Sequence, residues 1–300
     1  MNPYHEFAEA FVQLVHRGRE LPLGGLAFPT LPAPAPTAPV ALVFSPHPDD
    51  ECVTGGLALR LAREAGFRVV NVAVTLGSNR ARQLERWEEL TLACRWLGFD
   101  LERPAPLGLD GIKPETRRHH LEQWSVSVQA IAGILLRFQP RVVFCPHDLD
   151  WNGTHVGTHF LVMDALAWLP SDFKCDVVET EFWGQMQTPN LMVELGVTEV
   201  GNLLSALSFH VGEVSRNPYH LRLPAWLQDN VRRGAELVGG QGMAAPAYEF
   251  ALLHRLRRWQ NGRIETRYQG GRLLGLADAP SQMFDTTLSA ALPSAAALRP

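Results

Sequence analysis

The sequence predicts an α/β protein: a Rossmann-like, mostly parallel sheet with helices on both faces, followed by a C-terminal extension of helix and hairpin. Three observations predict it. Short apolar runs alternate with longer segments of helical periodicity between residues 40 and 182. The runs at 40–44 (VALVF), 67–75 (FRVVNVAVT) and 141–145 (RVVFC) are nearly continuous and rich in valine, as expected of strands covered on both sides. Two of them lead directly into clusters of histidine and carboxylate, at the strand ends where open α/β sheets hold their ligands.

The elements follow in order. Residues 4–17 place Phe7, Phe11, Leu14 and Val15 at helical spacing. A proline-dense stretch, LAFPTLPAPAPTAPVA, cannot form regular structure and reads as an extended surface strap. Residues 1–39 are therefore a helix and strap, 40–285 one α/β domain and 286–300 a tail, with 184–285 supplying substrate-side and C-terminal elements. Within the domain, a helix over 55–65 is closed by Gly66 and one over 80–97 by Gly98. A third, over 115–138, is stopped by Pro140. After the run at 141–145 come a helix over 155–169 and a strand over 176–182. Beyond it, 199–215 reads as helix, 216–245 as turns, 248–259 as helix and 264–276 as a hairpin around Gly270-Gly271.

Composition narrows the function. The chain has 300 residues, 46% of them hydrophobic, and a net charge of −4. That is enough to bury a large core and too little positive charge for a nucleic-acid partner. Arg232-Arg233 and the cluster Arg255–Arg258 read as solvated helix faces. No run approaches the roughly 18 apolar residues of a membrane span, and charges interrupt the N-terminus. Four scattered cysteines without a CxxC pair suggest free thiols and a cytoplasmic location. The sequence leaves open whether the protein is a homo-oligomer.

The first run ends in Ser45-Pro46-His47-Pro48-Asp49-Asp50-Glu51. Three adjacent carboxylates repel one another and call for a cation. His47 and Asp50 offer the nitrogen and oxygen of ordinary zinc ligands, and Asp49 between them can take a proton from water. A catalytic zinc commonly has three protein ligands, so a third must come from elsewhere. The run at 141–145 leads into a loop containing His147, Asp148, Asp150, Asn152, His155 and His159. His155 and His159 are four apart on one helix face; one can bind metal and the other face a substrate.

With these residues in place, the chain resembles the LmbE/PIG-L family of zinc-dependent N-deacetylases, which act on N-acetylglucosamine conjugates. The resemblance rests on Pro46–Glu51 for the family's AHPDDE and on Thr75-Leu76-Gly77. It also rests on Arg86 with Glu89-Leu90, Ala93 and Leu97-Gly98, on Asp110-Gly111, on Asp150-x-Asn152-Gly153, and on Ala206 with His210. It implies His47, Asp50 and His159 as zinc ligands, with iron(II) suited to the same donors, and Asp49 as general base. It implies His155 as a charged companion that stabilises the oxyanion, and Arg86, Asp110 and Asn152 as contacts to an amino-sugar substrate. The family's His-x-x-His spacing becomes His155-x-x-x-His159 here, with Thr158 where an aspartate is usual. The reaction implied is hydrolysis of an N-acetyl amide to acetate and a free amine. An amidase for a larger N-acyl or thiol conjugate, or a non-catalytic sugar- or metal-binding module, would share the fold. A dinucleotide enzyme would need GxGxxG after the first strand, where HPDDE stands.

Overall fold

A computed structural model describes residues 2–284. The chain begins with α1 (Pro3–Gly18), and the strap leads into β1 (Val40–Ser45). Next come a single turn, α2 (Asp50–Val53), then α3 (Gly56–Glu64), β2 (Arg68–Ala73), α4 (Gln83–Leu97) and β3 (Asp100–Glu102). The second half of the Rossmann-like unit is α5 (Pro114–His119), α6 (Leu121–Phe138), β4 (Val142–Pro146), α7 (Gly153–Ala167) and β5 (Cys175–Thr180). The remainder is β6 (Leu191–Leu195), α8 (Val197–Leu207), α9 (Val211–Arg216), α10 (Leu223–Leu237), β7 (Phe250–Gln260), β8 (Arg263–Thr266) and β9 (Arg272–Leu274).

The strands form one sheet in the order β3-β2-β1-β4-β5-β7-β6-β9, with β8 paired to β7. The first five are parallel, β7 is antiparallel to both of its long neighbours, and β9 is parallel to β6. Side-chain alternation puts Ala41 and Val43 in one core layer and Leu42 and Phe44 in the other. α3, α4 and α8 cover the first layer through Leu57, Leu90 and Leu203; α6 and α7 cover the second through Ile131 and Leu161. Strands covered on both faces must be apolar at successive positions, which is why the runs lack the polar alternation of a half-exposed sheet. The strap is pinned where Phe28 stacks on Phe209, centroids 5.5 Å apart, beneath the guanidinium of Arg95.

Several local expectations are corrected. The predicted helix over 115–138 is two helices, α5 and α6, broken at His120, whose backbone leaves the helical region (φ −129, ψ 63). The helix over 199–215 divides into α8 and α9. The turn-rich stretch contains α10, and β3 and β6 were not anticipated. The predicted helix over 248–259 is β7. Its basic cluster meets buried carboxylates across the sheet: Arg255 and Arg257 pair with Glu179, and Arg258 binds Asp176 through two nitrogens at 3.0 and 2.7 Å. Arg233 likewise pairs with buried Glu181 at 2.6 Å. Buried carboxylates are stable only when paired, and local periodicity carries no trace of a partner on another strand. The hairpin lies at Asn261-Gly262, between β7 and β8, where both residues have positive φ (54° and 71°), the conformation this dipeptide favours. The predicted tail lies outside the described residues. Among the described residues no helix is long and apolar enough to cross a membrane.

His254, fully buried on β7, makes one testable point about stability. Burial pushes its pKa from 6.5 down to about 3, against a smaller opposing pull from the Glu179 backbone. The unfolded chain takes up a proton near pH 6.5 and the folded chain does not. The contribution to stability is therefore complete above pH 6.5 and lost as pH falls toward 3, by up to about 3 kcal/mol at pH 4. Urea midpoints at pH 7 and pH 4 should show a smaller acid loss in His254→Leu than in the natural chain.

Candidate metal centre and active site

β1 lies between β2 and β4. The chain winds one way from β1 through β2 to β3 and the other way from β4 to β5, so the ends of β1 and β4 flank the switch point of the sheet. Both histidine–carboxylate loops leave from there. After β1 the backbone turns sharply into α2. The His47 backbone N–H donates to Asp50 Oδ2 at 2.9 Å, closing the turn with the side chain that also enters the site.

Asp49 takes a left-handed backbone conformation (φ 115) that is costly for a residue with a side chain. Buried contacts hold it there. Its N–H donates to Glu51 Oε2 at 2.9 Å, while Glu51 Oε1 accepts from His210 Nε2 at 2.7 Å and from the Cys52 thiol at 3.0 Å. Burial alone would lower the pKa of His210, but the Glu51 carboxylate outweighs it and the net shift is upward. Glu51 and His210 thus form a buried pair that shapes the loop from beneath.

Three donor atoms converge above this pair. His47 Nδ1 and His155 Nε2 are 3.2 Å apart, and each is 3.4 Å from Asp50 Oδ2. A tetrahedral zinc with bonds of about 2.0–2.1 Å to nitrogen and oxygen separates its donors by about 3.3 Å, so two nitrogens and one oxygen at these distances fit such an ion. His155 Nδ1 is buried without a hydrogen bond, and Asp150 Oδ1 stands 3.6 Å behind it. A carboxylate on that side is the usual orienting partner of a metal-binding histidine. Burial disfavours charge on His155, but Asp50 and Asp150 overcome it and raise its pKa to about 10. The cluster is therefore built to surround positive charge.

The structure does not bring His159 into this group. One helical turn beyond His155, its Nδ1 donates to the Pro146 carbonyl at 3.0 Å, and Glu179 lies 3.5 Å away. Burial lowers its pKa. His155, read from the sequence as the companion histidine, is thus the one that stands with His47 and Asp50, while His159, read as the third ligand, stands apart from them. His147 donates to the Gly184 carbonyl at 2.8 Å. Asn152 caps α7, its Oδ1 accepting from Thr154 N at 2.9 Å.

Arg86 reaches the first loop from α4. Its Nη2 donates to the Pro48 carbonyl at 2.7 Å and lies 3.8 Å from Asp49 Oδ1. Gly77 makes room for it, since a Cβ there would lie 2.4 Å from Arg86 Nη1. Beside it is a cleft of about 340 Å³ lined by Ser78, Asn79, Arg82, Arg86, Glu213 and Arg216. Asp110 is exposed and pairs with Arg80 at 3.2 Å. Burial and Asp50 raise the Asp49 pKa to about 6 against the opposing effects of His210, Arg86 and Tyr219. Three neighbours were not anticipated: Asp150 as the carboxylate behind His155, Phe182 edge-on to the His155 ring at 4.9 Å, and Tyr219, which touches Asp49. Asp150 could have been suspected from its place in the loop. Nothing in the local sequence marks Tyr219.

Fold and site together define a Rossmann-like protein with two histidines and one aspartate gathered at the switch point of its sheet, a donor set that could hold a metal ion. Residues 42–166 match the family described as PIG-L, GlcNAc-PI de-N-acetylase. The chain is 28% identical over 155 residues to a Mycobacterium leprae 1D-myo-inositol 2-acetamido-2-deoxy-alpha-D-glucopyranoside deacetylase, a match covering 43% of this chain. It spans about half (50%) of the length of that curated relative. Among solved structures it resembles N,N'-diacetylchitobiose deacetylase from Pyrococcus horikoshii, with a TM-score of 0.54 and 18% identity over 83% of this chain and 92% of that one. It also resembles the 4-carboxy-2-hydroxymuconate hydratase GalB from Pseudomonas putida KT2440, with a TM-score of 0.52 and 21% identity over 73% of this chain and 95% of that one. These two likenesses concern the fold.

Proposed function

We propose that the protein is a metal-dependent N-deacetylase that hydrolyses the acetamide of an amino sugar or its conjugate. The observation that carries this reading is the triangle of donor atoms at 3.2–3.4 Å with the Asp49 carboxylate next to it in the chain. His47, Asp50 and His155 would hold one divalent ion, zinc by donor type, with iron(II) served by the same ligands. Such an ion, when bound, supplies Lewis acidity toward water and the acetyl carbonyl. Asp49 accepts a proton from the attacking water and returns it to the departing nitrogen, so that acetate and a free amine leave. Arg86 fixes the loop carrying Asp49 through its bond to Pro48, and the cleft beside it receives the sugar. Asp110 would meet the substrate from the exposed rim, and Asn152 through its amide nitrogen, its oxygen being committed to the helix cap. The activities named for the mycobacterial and chitobiose enzymes support an amino-sugar substrate. The four cysteines, all buried and unpaired, suit a reducing compartment such as the cytoplasm.

The test is acetate release from a panel of N-acetylglucosamine derivatives, with chelator and then with added zinc. Release that chelator abolishes and zinc restores is expected. A protein carrying one equivalent of metal that frees no acetate from any panel member would sink deacetylation. It would leave water addition to another bond, as in the hydratase sharing the fold, or a binding role.

A further inference from the structure

Among the described residues, each histidine around the site has a commitment. His155 belongs to the donor triangle, His159 faces the Pro146 carbonyl, His147 faces the Gly184 carbonyl and His210 holds Glu51. The side chain that reaches the Asp49 carboxylate within hydrogen-bond distance is a phenol. Tyr219 Oη donates to Asp49 Oδ2 at 2.5 Å across 170 residues of sequence. Tyr219 opens a short 3-10 turn, Tyr219–Leu221, that links α9 to α10, outside the stretch matched by the family. Asn217 and Pro218 set the entry to the turn: Tyr219 N–H donates to the Asn217 carbonyl at 2.7 Å and Leu221 N–H to that of Pro218 at 3.2 Å. Trp183 meets the Tyr219 ring edge to face, centroids 5.6 Å apart and planes at 89°. The phenol is therefore aimed by two separate elements.

The bond divides the two oxygens of the carboxylate. Oδ2 is occupied by the phenol, whereas Oδ1 faces Arg86 at 3.8 Å, beyond hydrogen-bond distance. An unrestrained aspartate beside Asp50 could rotate toward the donor triangle and become a further ligand instead of a base. The geometry points to Tyr219 as the positioning residue of this base: it fixes the Asp49 carboxylate by Oδ2, keeps it out of the ligand set and leaves Oδ1 to accept the proton of water. The phenol proton stays on Tyr219 throughout; the proton that moves goes from water to Asp49 and then to the amine. This assignment rests on the deacetylase reading above and adds a residue supplied by the C-terminal half of the chain.

The experiment is a double-mutant cycle on acetate release, with bound metal measured in each variant. Tyr219→Phe keeps the ring and its contact with Trp183. It should retain one equivalent of metal and a KM within about twofold, and lose about 10- to 100-fold in kcat, the range for a hydrogen bond to a charged group. In the Asp49→Asn background the same change should cost less than about twofold, because Tyr219 acts through Asp49. Full kcat in Tyr219→Phe overturns the assignment. So does an equal loss in both backgrounds, which would mark a structural role. A natural chain that binds metal and turns over no substrate overturns the deacetylase reading and this one with it; turnover unaffected by Tyr219→Phe overturns this one alone.

Discussion

His155→Ala is expected to strip the metal from the purified protein and abolish turnover, while His159→Asn keeps the metal. The two residues lie on successive turns of α7, but only His155 Nε2 closes the triangle with His47 Nδ1 and Asp50 Oδ2. His159 spends its Nδ1 on the Pro146 carbonyl. Losing an orienting outer partner of a metal site typically costs about 10- to 100-fold in affinity. Losing one of three ligands should cost at least about 100-fold, leaving two donors on a single loop. His159→Asn removes a buried bond to the end of β4 and should lower the unfolding midpoint by a few degrees, with metal per chain near one. Metal content by elemental analysis, beside a thermal unfolding curve, separates the two. Metal retained in His155→Ala and lost in His159→Asn would restore the ligand set read from sequence and dismantle the triangle.

The second large effect is expected from Asp49→Asn. Its amide has nearly the shape of the carboxylate but cannot accept a proton from water, and general-base catalysis is commonly worth about 10²- to 10⁴-fold. The fall should appear in kcat. The strained backbone at φ 115 is held by Glu51, which the substitution leaves in place, and asparagine tolerates positive φ better than most residues. Metal content should therefore be unchanged. Activity within about fivefold of the natural chain would remove Asp49 as the base. Metal loss would mean that Asp49 belongs to the ligand set, against the tether that Tyr219 provides.

Much of this architecture is local and hence legible. β1, β2 and β4 declare themselves as apolar runs because both faces of each strand are covered. Gly66 and Gly98 end their helices with positive φ (65° and 75°), where only glycine is unstrained. The loop after β1 concentrates one histidine and three carboxylates, which no apolar core could accept unpaired. β7 shows where this kind of reading stops. FALLHRLRRWQ suits a helix as well as a strand, and the choice falls to Glu179 and Asp176 on β5, whose buried charges need the arginines at strand spacing. α10 was hidden for the opposite reason. Its apolar stripe is short, and it is held by Leu227 and Val231 packing into the layers around β7 and β6.

At the site, the sequence by itself determined that His47, Asp49 and Asp50 stand at the end of a buried strand and that a second histidine-bearing loop follows another. Those are consequences of order along the chain. Which histidine completes the triangle was settled by tertiary structure. His155 and His159 share a helix face, and only the placement of α7 against β4 gives one the donor triangle and the other the Pro146 carbonyl. The Tyr219 bond to Asp49 and the His210 bond to Glu51 join residues 170 and 159 positions apart. Such contacts depend on how helices and turns stack over the sheet, a many-residue balance of packing that no short window of sequence contains.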